Sequence, residues 1–181
     1  MALPTEIHLT LPDWVPAFVA NTPCEPTDEG RMAYVLELGK HQVARGTGGP
    51  FSAAVFDLDS NEVVAVGVNR VVPTHASIAH AEIMALTLAQ QALGVHRLPD
   101  TCGLYSSTEP CAQCLGAVPW SGVGRLVCSA CAADAEAIGF DEGAKPEDWP
   151  AQLEARGIRV VRHLLAERGA ALLTSYGGAR Y

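Results

Sequence analysis

The amino-acid sequence predicts an α/β domain in which helices cover both faces of a mixed sheet. Two stretches rich in β-branched and aromatic residues, 51–58 and 63–69, are joined by a short polar turn and predict a hairpin. Strand-like and helix-like segments then alternate towards the C-terminus, and β-α-β-α units place helices on both sides of a sheet. The chain has 181 residues, of which 49% are hydrophobic and 18% charged, as expected for one globular domain.

The first 26 residues differ from the rest, because they contain five of the twelve prolines. We therefore expect residues 1–26 to form an irregular, proline-rich arm that Trp14 and Phe18 attach to the domain. Residues 27–181 then form the domain that carries the chemistry.

Each further element follows from local pattern. A helix is predicted to begin at Thr27 or Asp28, since either side chain can cap it, and to stop at the glycine-rich run 46–50. The helix at 80–93 has Glu82 as its only charged residue, so we expect it to be buried on the sheet. The other predicted strands are 102–107, 125–130 and 158–163, and the other predicted helices are 111–120, 132–138, 150–156 and 165–176.

Charge and composition narrow the class of partner. The net charge is −8, and the two lysines and ten arginines form no basic run. Proteins that grip a phosphate backbone show a basic stripe, so a small neutral substrate is favoured over a nucleic acid. No signal peptide and no apolar stretch of membrane-spanning length is visible, which predicts no membrane partner and a cytoplasmic protein.

Two short motifs carry ligands for a metal ion. They are His80-Ala81-Glu82 and Pro110-Cys111-Ala112-Gln113-Cys114. Cysteines at i and i+3 share one side of a helical turn, so both thiolates can reach one ion, and His80 supplies a third ligand. The motifs predict one Zn²⁺ per chain with a fourth position open to water, as in catalytic sites. Glu82 is then placed to accept a proton from that water, in the H-x-E…P-C-x-x-C signature of zinc base deaminases.

A second cysteine pair provides an alternative of another class. Cys128 and Cys131 follow the first pair after thirteen residues, which is close to the spacing of a Cys₄ zinc ribbon. In that case the chain is an interaction module and His80 and Glu82 have no catalytic role. Against this hypothesis, Cys128 falls inside a predicted strand, where a buried thiol is common.

These residues resemble the cytidine deaminase-like superfamily, and within it the guanine deaminase family. The resemblance covers roughly residues 27–181 and implies a three-layer α/β/α fold with a five-stranded mixed sheet. The segments that carry it, besides the two metal motifs, are Gly48–Phe51, Asn69 eleven residues before His80, Glu109–Ala117, Trp120, Gly139–Glu142 and the terminal Tyr181.

The resemblance implies a reaction and a set of site residues. The reaction is hydrolysis of guanine to xanthine and ammonia, with Glu82 and Glu142 moving protons, although the adjacent Asp141 is an alternative to Glu142. Asn69, Phe51 and Trp120 are implied to hold the purine, and the C-terminus with Tyr181 to close the site. The superfamily also implies a homodimer. Other members act on cytosine, cytidine or tRNA adenosine, so these substrates remain alternatives.

Overall fold

Five strands form one mixed sheet between two layers of helices, in a computed structural model that describes residues 3–178. The strands are β1 (Ser52–Asp57), β2 (Val63–Val68), β3 (Cys102–Thr108), β4 (Arg125–Ala130) and β5 (Arg159–Val161). The helices are α1 (Val15–Asn21), α2 (Asp28–Arg45), α3 (Val71–Thr74), α4 (Ala81–Leu93), α5 (Ala112–Ser121), α6 (Ala132–Ala137), α7 (Trp149–Glu154) and α8 (Ala166–Thr174).

The sheet has the strand order β2-β1-β3-β4-β5. The hairpin strand β1 is antiparallel to both β2 and β3, whereas β3, β4 and β5 run parallel to one another. Parallel neighbours need a crossover, and here α5 joins β3 to β4 while α6 and α7 join β4 to β5. The predicted fold class, a three-layer α/β/α arrangement with a five-stranded mixed sheet, is confirmed.

Alternation along the strands divides the core between the two faces of the sheet. Ala53 and Val55 of β1 belong to a cluster with α4, α5 and α7, whereas Ala54 and Phe56 belong to a cluster with α1, α2 and α8. All four side chains are fully buried. A period of two with both sides apolar is what a strand covered by helices on each face requires.

The N-terminal arm is more regular than its proline content predicts. Residues 15–21 form the helix α1, with proline at its first turn, where a missing N–H costs nothing. Phe18 is buried against Tyr34 with ring centroids 5.1 Å apart. The short helix α3 was also not predicted, and no helix among residues 3–178 is long and apolar enough to cross a membrane.

Close packing of α4 on β2 determines where the metal-ligating residues lie. A Cβ added at Gly67 of β2 would lie 2.0 Å from the carbonyl oxygen of Ala81, so only glycine permits this approach. The first turn of α4 therefore lies directly on the sheet. α5 begins four residues after β3 ends, and its N-terminus lies beside that of α4.

Candidate active site

Three ligand atoms from two helix starts converge on one point. His80 is the N-cap of α4 and Cys111 the N-cap of α5, while Cys114 follows in the first turn of α5. The Nδ1 atom of His80 lies 3.4 Å from Sγ of Cys111 and 3.6 Å from Sγ of Cys114. All three ligand atoms lie within 4.8 Å of one another.

This group fits a tetrahedral zinc ion. Zn–S bonds of about 2.3 Å and Zn–N bonds of about 2.0 Å at a tetrahedral angle separate nitrogen from sulfur by about 3.5 Å. The two separations from His80 agree with this value. Two thiolates and an imidazole are also the soft donors that Zn²⁺ prefers over Mg²⁺ or Ca²⁺.

One of the two thiols is already prepared to act as a ligand. The neighbouring side chains of Cys114 and His80 together lower the pKa of Cys111 to about 4, although burial opposes this. The pKa of Cys114 is raised by the neighbouring Cys111, by burial and by the Glu82 carboxylate, to which its thiol donates. The lowered pKa favours the thiolate form of Cys111, which is the form that binds a metal ion, and a bound cation would favour the thiolate of Cys114 as well.

Glu82 lies behind the ligand atoms, in the first turn of α4, with only 6% of its surface exposed. The hydroxyl of Ser106 donates to its Oε1 at 3.1 Å, and the thiol of Cys114 donates to Oε2 at 3.4 Å. Burial raises the pKa of Glu82, although the charge of His80 opposes this. A thiolate on a metal cannot donate, so Ser106 is the contact that orients the carboxylate when the ion is bound.

A cavity of about 220 Å³ opens in front of the ligand atoms. Phe51 forms part of its apolar side and packs edge to face on Phe140, with ring centroids 4.8 Å apart. The residues that line the cavity are Phe51, Asn69, His80, Glu82, Glu109, Cys111, Phe140, Asp141 and Glu142. Four of these nine are carboxylates, so the cavity favours a neutral or cationic ligand over a phosphate ester.

Asn69 is buried at the end of β2, with 1% of its surface exposed. The backbone N–H of Val71 donates to its Oδ1 at 3.2 Å, and this bond fixes which end of the carboxamide is oxygen. The amide nitrogen is then the atom that is left to donate within the cavity. A donor in this position matches an acceptor edge of a ligand.

The structure distinguishes the two acidic residues of the 139–143 loop. Glu142 is 5% exposed and accepts a hydrogen bond from Lys145 at 3.3 Å, whereas Asp141 is exposed and accepts from the backbone N–H of Gly143. Burial raises the pKa of Glu142 to about 7, although Lys145 opposes this. Glu142 is therefore the buried acid of this loop, and burial gives it a raised pKa.

Two residues of this region were not predicted to have a role. Glu109 lines the cavity with 4% exposure, and both of its oxygens are occupied, by Arg162 and by the backbone N–H of Ala132. Lys145 also donates to the carbonyl oxygen of Pro110 at 2.9 Å, which connects the acidic loop to the start of α5. Glu109 precedes Cys111 by two residues, so its place next to the metal motif was a signal that it lies at the site. Nothing in the sequence distinguishes Lys145.

One predicted substrate residue, Trp120, is not brought to the cavity. Trp120 lies at the far end of α5, nine residues after Cys111, with 76% of its surface exposed. Nine residues of helix span about 13 Å, so its side chain cannot reach the same cavity from that position. Tyr181 lies outside the described residues.

The second cysteine pair stands apart from the ligand group. Among residues 3–178, the group able to hold a metal ion consists of His80, Cys111 and Cys114. Cys128 is buried within β4 opposite Ser106, and the thiol of Cys131 donates to Asp134 at 3.0 Å. The zinc-ribbon alternative is therefore wrong.

Comparison with known proteins agrees with this geometry. Residues 26–130 match the cytidine and deoxycytidylate deaminase zinc-binding region. The guanine deaminase of Bacillus subtilis is 38% identical over 112 residues, which are 61% of this chain and 70% of that protein.

Two solved structures extend the similarity to nearly the whole chain. The guanine deaminase from Nitrosomonas europaea is 47% identical with a TM-score of 0.89, covering 97% of this chain and 98% of that one. A mutant of the protein NE0047, whose crystal structure holds 8-azaguanine, is 48% identical with a TM-score of 0.88, covering 95% of this chain and 97% of that one.

Proposed function

This chain belongs to the cytidine and deoxycytidylate deaminase zinc-binding family, and we propose that it hydrolyses guanine to xanthine and ammonia. The observation that carries the substrate class is the acidic cavity that Asn69 enters as a hydrogen-bond donor. Guanine offers an acceptor edge at O6 and N7, whereas adenine presents an amino group at the corresponding position. Similarity to two guanine deaminases and to a protein that binds 8-azaguanine supports this choice.

His80, Cys111 and Cys114 would hold one Zn²⁺ per chain. The chemistry that the ion supplies, when bound, is a nucleophilic oxygen at neutral pH. Glu82 accepts the proton that water loses as its oxygen adds to C2 of the base, and transfers this proton to N3. Its burial among Ser106 and the ligand residues keeps the carboxylate in one orientation.

Glu142 completes the proton balance. The bond from C2 to the amino nitrogen breaks as that nitrogen takes a proton from Glu142, and the hydroxyl on C2 returns a proton to a carboxylate as the carbonyl forms. The products are xanthine and ammonia, and no net proton is gained or lost. Phe51 packs on the apolar face of the base, and Tyr181 closing the site stays a prediction of the resemblance.

An ammonia-release assay with four substrates tests this function. We expect kcat/KM for guanine to exceed that for adenine, cytosine and cytidine by more than tenfold, because an unpaired buried amide costs roughly 1–3 kcal/mol. Asn69→Ala should reduce the preference and leave the zinc content unchanged. Cytidine or cytosine as the best substrate would overturn the assignment, and turnover of tRNA adenosine would replace the substrate class.

We further propose that the protein is a cytoplasmic homodimer. Trp120 borders a surface groove with Ile83 and Leu86 of α4, and an exposed apolar surface of this kind is typical of an interface. All six cysteines are free thiols, which suits a reducing compartment. Light scattering should give twice the chain mass of 19.0 kDa, and Trp120→Asp should shift the protein to monomers. A wild-type monomer at micromolar concentration would exclude the dimer.

A further inference from the structure

A chain of hydrogen bonds leads from the N-terminal arm to the backbone of Asn69. The indole Nε1 of Trp14 donates to the Thr47 hydroxyl at 3.1 Å, and that hydroxyl donates to Oε1 of Gln42 at 2.6 Å. The amide Nε2 of Gln42 then donates to the carbonyl oxygen of Asn69 at 2.7 Å. All the donors point in one direction, so each bond polarises the next.

A second set of contacts holds the residue that follows Asn69. The guanidinium of Arg70 donates to the carbonyl oxygen of Thr10 at 3.1 Å and also to the carbonyl of Thr47. The backbone N–H of Arg70 donates at 2.8 Å to Ala79, the residue before the metal ligand His80. The arm therefore contacts the segment between the base-reading and metal-ligating residues from outside the cavity.

The surroundings leave this arrangement little freedom. Gln42 is completely buried, and both ends of its carboxamide are occupied by the chain of hydrogen bonds. A Cβ added at Gly48 would lie 1.9 Å from the Asn69 carbonyl oxygen and 2.2 Å from Nε2 of Gln42. The Asn69 backbone is thus enclosed by α2, by the glycine-rich run 46–50 and by Phe51, the residue before β1, whose carbonyl accepts from the Asn69 N–H at 3.0 Å.

We propose that Gln42 and residues 3–14, the part of the N-terminal arm that precedes α1, are positioning elements that fix Asn69 for base recognition. This inference rests on the proposed function. The family match begins at residue 26, so the arm lies outside it, and the arm's contacts with Thr47 and Arg70 give this segment a role in substrate selection. Covering the core is a separate task, which Val15 and Phe18 of α1 perform with buried side chains.

A double-mutant cycle between Gln42 and Asn69 tests the proposal. Gln42→Met keeps the volume and removes both hydrogen bonds, and we expect kcat/KM for guanine to fall about tenfold. In the Asn69→Ala background the same change should lower kcat/KM for guanine less than about twofold, because Gln42 acts through Asn69. The proposal would be overturned if Gln42→Met lowered kcat/KM by the same factor in both backgrounds. The variants compared must have equal zinc content and equal melting temperature.

Substrate selection provides a readout that a merely structural role would not change. The purine 2-aminopurine carries the reacting amino group of guanine without its O6 acceptor. Gln42→Met should move the ratio of kcat/KM for guanine to that for 2-aminopurine towards the ratio of Asn69→Ala. An unchanged ratio would contradict the proposal. If Gln42→Met does not fold, Thr47→Val breaks the same chain of bonds at a half-buried position and is predicted to move the ratio in the same direction.

Trp14→Phe tests the arm itself. It removes the indole donor together with one ring of the bicycle and keeps an aromatic ring, and we expect about a two- to threefold loss of kcat/KM for guanine with an unchanged kcat for 2-aminopurine. The matched control is Tyr34→Phe, which removes a buried hydroxyl that has no hydrogen-bond partner in the described chain and should be silent. Equal effects of Trp14→Phe and Tyr34→Phe would exclude the arm. Absence of guanine turnover by the wild type would instead refute the proposed function.

Discussion

The two Cys-x-x-Cys pairs of this chain have the same spacing and opposite surroundings. Cys111 caps α5 and Cys114 falls in the first turn of that helix, so both thiols face the start of α4. In the second pair Cys131 is the residue that caps a helix, and the position three residues later is Asp134. Cys128 lies within β4, before the helix begins.

The difference shows that spacing alone does not make a metal site. A pair of cysteines shares one ion when its first member caps the helix, because the second then follows one turn later. In the second pair the helix starts three residues too late, and the turn brings a carboxylate to the Cys131 thiol instead. The third ligand also matters, since His80 stands opposite the first pair.

The largest effect should come from substituting the two capping cysteines in turn. Cys111→Ser keeps a good helix cap but removes a thiolate ligand, so zinc should be lost and guanine turnover should fall by more than about 10³-fold. Cys131→Ser should keep both, because its thiol contacts Asp134 and no ligand atom. Metal analysis and steady-state kinetics of the two proteins check this, and zinc loss in Cys131→Ser would reverse the comparison.

The second-largest effect distinguishes metal binding from catalysis. Glu82→Gln removes the proton acceptor beside the first pair while leaving every ligand atom in place. Turnover should fall about 10²–10⁴-fold with zinc content unchanged, since an amide cannot accept the proton. A variant that retains more than a tenth of the wild-type kcat would show that Glu82 is not the main base.

Glu142 should show a smaller effect with a pH signature. Burial raises the pKa of Glu142 to about 7, so the acid form needed for donation is lost as pH rises through that value. Glu142→Gln should lower kcat about 10- to 100-fold and remove this alkaline decline. The groups that bear on this pKa are Lys145, Cys111 and Glu82. A decline of the same midpoint in the variant would assign it to another group.

The same shift has a consequence for stability. The folded protein keeps a proton on Glu142 that the unfolded chain releases near pH 4.5, so the stabilising effect of this group is lost as pH rises from about 4.5 to about 7. The free energy of unfolding of the wild type, relative to Glu142→Gln, should therefore decrease over this range. Urea titrations at both ends of it provide the measurement.

The smallest effect concerns Lys145. Its ammonium lies 3.3 Å from Glu142 and lowers the pKa of that carboxyl. Lys145→Met should raise this pKa and move the alkaline decline of kcat to higher pH, with a loss of only a few fold at neutral pH. Lys145→Arg, which keeps the charge, is the matched control. A shift to lower pH in Lys145→Met would contradict the electrostatic reasoning.

Most of the fold could be predicted from the sequence because its pattern is local. The strand 125–130 was predicted with its observed bounds, and the helix α4 begins one residue after its predicted start at His80. The short helices α1 and α3 could not be predicted, because prolines within them conceal the helical pattern. Their stability comes from tertiary contacts such as the burial of Phe18.

The residues of the candidate site also divide into those that a local pattern predicts and those that only the fold brings together. The ligand group followed from two local motifs, whereas Gln42 and Lys145 act over 27 and 35 residues of sequence separation and depend on the fold to bring their partners close. A polar residue on the buried side of α2 was a signal for Gln42. Trp120 was assigned by resemblance, and the position of α5 leaves it on the surface of this chain.

The most direct test of the first cysteine pair is zinc X-ray absorption on the wild-type protein. We predict one ion per chain with two sulfur ligands at about 2.3 Å and nitrogen or oxygen ligands at about 2.0–2.1 Å. His80→Ala should remove the ion, and the double variant Cys128→Ser, Cys131→Ser should leave the spectrum unchanged. A shell of four sulfurs, lost in that double variant, would contradict the assignment of the metal to His80, Cys111 and Cys114.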